Sequence, residues 1–181
     1  MPYPIFVIPD IHGQKSQLDE ALAVVETHGG KKAPVVFLGD LVDRGPDSCG
    51  VIQTLIDGLE EGRNWTVLCG NHDQIFLDFL DLADNDSDSI HPGEDWLSEN
   101  LGGIETLASY GIDAYDPNID WPKAVQAVPE EHRQFLKSLP LSCETRKVIF
   151  VHAGIRPGIP LIDQEPEDLI WIREPFLSHI E

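Results

Sequence analysis

Four short apolar runs punctuate the chain, at residues 4–8, 35–38, 65–69 and 147–151, and each breaks off into polar residues with a glycine among them. The second run, Val35-Val36-Phe37-Leu38, is continuous and half β-branched, the pattern of a central strand covered on both faces. Stripes of helical spacing separate the first three runs. Leu18, Ala21, Leu22 and Val25 form one stripe, with Ser16 as its expected cap, Asp19 completing a capping box and Gly29-Gly30 as its stop. Val51, Ile52, Leu55, Ile56 and Leu59 form the next, capped by Asp47 or Ser48 and closed before Gly62. A third helix is expected over residues 74–82, with Ile75, Phe76, Phe79 and Leu80 turned inward. Alternation of this kind implies an α/β domain with a largely parallel sheet, whose ligand site lies at the carboxyl ends of the strands.

From about residue 81 to 140 the pattern changes. It reads as a helical insertion beside the site, within a single domain spanning 1–181, and as an element suited to selecting substrates. Residues 101–110 form a helix closed by Gly111, and Pro122 and Pro129 are expected as first residues of two more. The stretch Asp84-Asn85-Asp86-Ser87-Asp88 has the acidity of a calcium loop but carries Ser89 at the sixth position and Asp95 at the twelfth, so it reads as a solvated loop. Trp96, Tyr110 and Trp121 read as packing anchors. A short helix is expected over Pro166–Trp171.

Composition narrows the function. With 12 basic and 32 acidic residues among 181, the formal charge is −20, which argues against nucleic-acid or anionic-membrane partners. An anionic substrate would be repelled unless bound cations reverse the local field. Cys49, Cys69 and Cys143 are odd in number and widely spaced, so they read as reduced thiols of a cytoplasmic protein. The N-terminus shows neither a signal peptide nor a membrane span.

The chemistry sits at the polar ends of the four runs. The first ends in Pro9-Asp10-Ile11-His12-Gly13, where extended chain would point Asp10 and His12 the same way. The second ends in Gly39-Asp40-Leu41-Val42-Asp43-Arg44-Gly45, two acids and an arginine between glycines. The third gives Gly70-Asn71-His72-Asp73 and the fourth His152-Ala153-Gly154-Ile155-Arg156. A carboxylate can hold a cation, a second can orient a histidine, and an arginine can clamp a phosphate through two hydrogen bonds.

In this order the four tips resemble the calcineurin-like metallophosphoesterases, most of all their phosphoprotein-phosphatase branch in its bacterial Ser/Thr form. Gly102-Gly103-Ile104-Glu105-Thr106-Leu107 and His152-Ala153-Gly154-Ile155-Arg156-Pro157-Gly158 extend the likeness over nearly the whole chain. The resemblance implies an αββα sandwich of two mixed sheets flanked by helices. It implies two metal ions, one held by Asp10, His12 and Asp40, the other by Asp40, Asn71 and His152, with Asp40 shared. Carboxylate, amide and imidazole donors suit Mn, with Fe or Zn as alternatives. A hydroxide bridging the two metals would attack phosphorus in line. Arg44 and Arg156 would bind the phosphoryl group, and His72, oriented by Asp43, would protonate the leaving oxygen.

Two departures qualify the likeness. Pro9 stands where the family usually has glycine. The family's further histidine, in a Gly-His-Thr motif, has no counterpart; His179 in Ser-His-Ile is not expected to replace it. The chain therefore reads as a shortened version of the fold without its C-terminal part. The reading put first is a Ser/Thr protein phosphatase acting on phosphorylated proteins or small phosphoesters. A symmetrical bis(5'-nucleosyl)-tetraphosphatase is the alternative; that group often carries alanine where this chain has Asp43. A catalytically impaired metal- or phosphate-binding domain is the third.

Overall fold

The computed structural model describes residues 4–85, 90 and 95–180. Strands β1 (Phe6–Ile8), β2 (Val35–Phe37) and β3 (Trp65–Val67) pair in that order, all parallel, with Phe6 opposite Val35 and Val35 opposite Trp65. Helices α1 (Lys15–Gly29) and α2 (Ser48–Glu60) make the two crossovers, so all three carboxyl ends reach one edge of the sheet. β2 is buried throughout, as its unbroken apolar run requires. A second sheet pairs β4 (Ser142–Glu144) antiparallel with β5 (Ile149–Val151). Ser142-Cys143-Glu144 has no apolar run, so β4 left no trace in the hydrophobic pattern. The expected α/β architecture of sheets flanked by helices is present, and among the described residues each sheet has a single sense.

Helix boundaries depart from the sequence signals in instructive ways. α1 starts ahead of Ser16, so Ser16 lies inside the helix and caps nothing. Lys15 Nζ instead holds Asp19 at 2.6 Å, one turn on. Asp47 does cap α2, accepting from Gly50 N–H at 2.8 Å. The third helix, α3 (Asn71–Asn85), begins at Asn71 rather than Gln74, which puts the polar tip of β3 on a helical first turn.

Beyond α3 come a 3₁₀ turn (Asp95–Leu97), α4 (Gly103–Ser109), α5 (Trp121–Ala124) and α6 (Glu130–Ser138). Pro122 falls in the first turn of α5, while Pro129 is the N-cap of α6 rather than its first residue. One apolar cluster joins these to the sheet: Phe37, Leu41, Ile52, Leu55, Phe76 and Leu80 pack with Leu107, Trp121, Val125 and Leu136. Each such side chain contributes about 1.5–3 kcal/mol on burial. Asp84 and Asn85 end α3, and Asp84 pairs with the nearly buried Arg133 at 2.7 Å. Asp86, Ser87, Asp88 and Ser89 of the acidic stretch lie outside the described residues. α7 (Pro166–Trp171) closes the described elements at its expected place. Among the described residues no helix is long and apolar enough to cross a membrane.

Candidate metal centre

The tips of β2 and β3 touch backbone to backbone. A Cβ on Gly39 would lie 2.4 Å from Gly70 N, and one on Gly70 would lie 2.2 Å from Asp40 Oδ1. Glycine at both positions is what lets the two loops close on each other. Five non-glycine residues among those described have positive φ: His12, Asp40, Asp43, Arg44 and Asp95. Four of the five are residues singled out above for their chemistry. Left-handed backbone in such residues costs roughly 1–2 kcal/mol each and persists only where surroundings impose it. The extended-chain argument that paired Asp10 with His12 does not hold, because His12 turns at φ 44°. Instead Asp40 O accepts from both Ile11 N–H and His12 N–H, at 2.9 and 2.8 Å, and this pins the first tip to the second.

Asp40, 4 % exposed, is the centre of the arrangement. His12 Nε2 lies 3.5 Å from its Oδ2, and His152 Nε2 lies 3.5 Å from its Oδ1, so each carboxylate oxygen faces its own imidazole. Backbone carbonyls fix both rings. His12 Nδ1 is 2.8 Å from Val42 O and His152 Nδ1 is 2.9 Å from Leu38 O. A carbonyl only accepts, so both Nδ1 atoms carry the proton and both Nε2 lone pairs face inward. Leu38 and Val42 flank Asp40, so one short stretch of chain supplies the shared carboxylate and orients two histidines brought by other strands.

Asn71 Oδ1 adds a further acceptor, 3.0 Å from His152 Nε2. An imidazole nitrogen facing an amide oxygen beside a carboxylate shares either a proton or a cation with them. Asp10, Asp40 and His152 each offer an atom within 4.8 Å of the others, and so do His12, Asp40 and His72. Two groups sharing Asp40, built from oxygen and imidazole nitrogen, fit a pair of divalent transition-metal ions.

A second network lies beside the first. His72 Nδ1 is 2.6 Å from Asp43 Oδ2, so its proton is on Nδ1, and its Nε2 lies 3.0 Å from Arg44 Nη2. Arg44 Nη1 donates to His12 Nε2 at 2.6 Å. His72 N–H donates to Asp40 Oδ1 at 3.0 Å, which sets the positive end of α3 against that carboxylate.

A family model described as calcineurin-like phosphoesterase matches residues 3–180. The chain belongs to the calcineurin-like phosphoesterases. This phosphoesterase is 43% identical over 155 residues to the symmetrical bis(5'-nucleosyl)-tetraphosphatase of Ralstonia nicotianae, which covers 85% of the chain and 43% of that relative. It is 37% identical over 75 residues to serine/threonine-protein phosphatase 1 of Salmonella typhimurium, 41% of the chain and 32% of that protein. The crystal structure of a candidate diadenosine tetraphosphatase shares its fold with a TM-score of 0.60 at 24% identity, covering 91% of the chain and 56% of the other. The phosphoesterase spans less than half the length of these curated relatives. The family likeness read from the four tips stands.

Sequence reasoning left several residues of the phosphoesterase without a role. Trp96, read as a packing anchor, aims its Nε1–H at Asp43 Oδ2, 2.8 Å away. Thr106 Oγ1–H donates to Asp43 Oδ1 at 2.7 Å and accepts from Asp43 N–H at 2.8 Å. Asp73, fully buried, accepts from Leu41 N–H at 2.9 Å and Gly70 N–H at 2.8 Å, joining the loops of β2 and β3. Burial, and then the charge of Asp40, push its carboxyl up to about 7. Burial likewise pushes the Cys69 thiol up to about 12, so it stays protonated and is no nucleophile. Arg156 is held by Asp168 through two bonds, Nε to Oδ2 at 2.7 Å and Nη2 to Oδ1 at 2.6 Å. It could reach a phosphoryl group only by giving up that pair.

Proposed function

We propose that the phosphoesterase hydrolyses dinucleoside polyphosphates, as the symmetrical bis(5'-nucleosyl)-tetraphosphatases do, with metal at the Asp40 cluster. The observation that carries the chemistry is the convergence of Asp10, His12, Asn71 and His152 acceptors on one shared carboxylate. The names of the relatives move the substrate from phosphoprotein, the reading put first from sequence, to dinucleotide. The metal pair, when bound, supplies a nucleophile at neutral pH and positive charge for the phosphoryl oxygens. The family works with two divalent ions, and Mn is our choice for this chain.

The protein's own groups do the rest. Arg44, whose Nη1 meets His12 Nε2 at 2.6 Å, would yield that nitrogen to a metal and offer its fork to the phosphoryl oxygens. Asp43 holds His72 with Nδ1–H toward it and stabilises the imidazolium that forms when Nε2 takes up a proton. That proton goes to the leaving oxygen. Free thiols at Cys49, Cys69 and Cys143 suit a reducing cytoplasm.

A second reading rests on Asp43. A nucleoside diphosphate leaves as a weakly basic anion and needs little protonation, whereas a serine alkoxide needs a proton donor. The well-built Asp43–His72 pair therefore favours phosphomonoesters. Turnover of diadenosine tetraphosphate, a phosphoserine peptide and p-nitrophenyl phosphate with Mn²⁺ separates the readings. Cleavage of the peptide in preference to the dinucleotide overturns the first. Metal binding with no turnover of any of them marks an impaired domain.

A further inference from the structure

We propose that the segment from Trp96 to Thr106 is a clamp that positions the Asp43–His72 pair, with Trp96 and Thr106 as positioning residues for proton transfer. The inference rests on the proton-donor role given to His72 above. Asp43 is completely buried and has no access to water, so whatever fixes its carboxylate is protein. Trp96 Nε1–H and His72 Nδ1–H converge on the same oxygen, Oδ2, at 2.8 and 2.6 Å. Thr106 Oγ1–H takes Oδ1 at 2.7 Å. Three donors from three directions leave the carboxylate one rotation, and that rotation aims the imidazole. The backbone of the same turn is held by the same segment. Thr106 Oγ1 accepts Asp43 N–H, and Gly102 O accepts Arg44 N–H at 3.1 Å. Asp43 and Arg44 are both left-handed, at φ 75° and 67°, so the turn needs such support.

Packing alone does not account for Trp96. Its ring stacks on Phe76, 5.2 Å between centroids, and lies tilted against Phe79 at 4.5 Å; those contacts ask for an aromatic ring but not for an N–H aimed at Asp43. Both phenylalanines belong to α3, the helix that carries His72 on its first turn. The platform that places the indole is therefore continuous with the residue it orients.

Trp96→Phe keeps an aromatic ring on the platform and removes the N–H, together with the five-membered half of the indole. With Mn²⁺ bound, its turnover of a phosphoserine peptide should fall about tenfold, the scale of lost hydrogen bonds behind a functional side chain. Turnover of p-nitrophenyl phosphate, whose leaving group needs no proton, should stay near wild type. In the metal-free protein, the His72 Nδ1–H resonance seen by ¹⁵N-edited NMR should be slow to exchange in wild type and broadened in Trp96→Phe. Thr106→Val should act in the same direction and Thr106→Ser should restore both readouts, which settles the matter if Trp96→Phe fails to fold. Unchanged peptide turnover and an unchanged Nδ1–H signal in Trp96→Phe and Thr106→Val overturn the clamp. His72→Asn is the control for the underlying role. If it shows no bias against the peptide, the proton-donor reading is what fails, and the NMR signal still decides whether the clamp exists.

Discussion

Adding one methyl group at Gly70 should open the metal centre while leaving the protein folded. An ideal Cβ there lies 2.2 Å from Asp40 Oδ1, 2.3 Å from Asp40 N and 3.0 Å from Asp40 Cα. Non-bonded heavy atoms settle at about 3.5 Å, so the loops carrying Asp40 and Asn71 must part by on the order of 1 Å. A displacement of that size in a reacting geometry costs about 100-fold. The overpacking itself should destabilise by about 1–3 kcal/mol. At this chain length each kcal/mol lowers the melting temperature by roughly 2–4 °C. Gly111→Ala is the matched control. It has φ +77° with nothing within 4 Å of the added carbon, so it suffers left-handed strain of roughly 1–2 kcal/mol with no clash. Both variants should melt lower by comparable amounts in a thermal scan. Only Gly70→Ala should lose Mn²⁺ affinity by calorimetry and p-nitrophenyl phosphate turnover, each by about 100-fold. Wild-type metal affinity in Gly70→Ala, or an equal loss in Gly111→Ala, refutes the claim that contact between these tips sets the centre.

Asp40→Asn should lose metal and turnover together, since it removes the one charge common to both ligand groups, while circular dichroism stays native. Arg44→Lys should keep metal affinity and lower kcat/KM for p-nitrophenyl phosphate by about tenfold, because an ammonium cannot make the paired hydrogen bonds of a guanidinium. His132 gives a pH test. In the neutral ring, which burial favours, its Nδ1 accepts from Tyr110 O–H and its Nε2–H donates to Gln53 Oε1, each at 2.9 Å. Burial holds its pKa below the ordinary value, so its contribution to stability is complete above the unfolded value near 6.5 and is lost as pH falls through the lower folded value. Urea midpoints should therefore drop more between pH 7 and 5 for wild type than for His132→Asn, and equal drops would remove His132 from the account.

The strands that carry ligands were legible because each is an apolar run ending in glycine, a pattern written by burial and backbone geometry along one stretch of chain. β4 was not, since Ser142-Cys143-Glu144 is defined by its partner β5 rather than by its own residues. The start of α3 was misplaced for a related reason. Asp40 meets the free N–H of His72 from another loop, 32 positions away in the chain, where a local capping signal would have come from a neighbour. Trp96 looked like packing because its ring does pack; only the direction of one N–H reveals a second role. Thr106 could have been found from the Gly102-Gly103 stretch that contributed to the family resemblance, but nothing local says that its hydroxyl points at Asp43, 63 positions away.

The charge balance of the centre favours cations over anions. Asp10, Asp40 and Asp43 stand within one turn or tip of each other's partners, Asp73 lies beneath them, and Arg44 is the cation that the geometry brings to His12 and His72. A phosphoryl group approaching that cluster meets carboxylates and inward lone pairs, in a protein of formal charge −20. Cations held by Asp40 would reverse the local sign, and His12 Nε2, which Arg44 now meets at 2.6 Å, is a nitrogen that such a cation could use. On the proposed reading, the acidity that would repel an anionic phosphoester from this centre is also what would attract the cations.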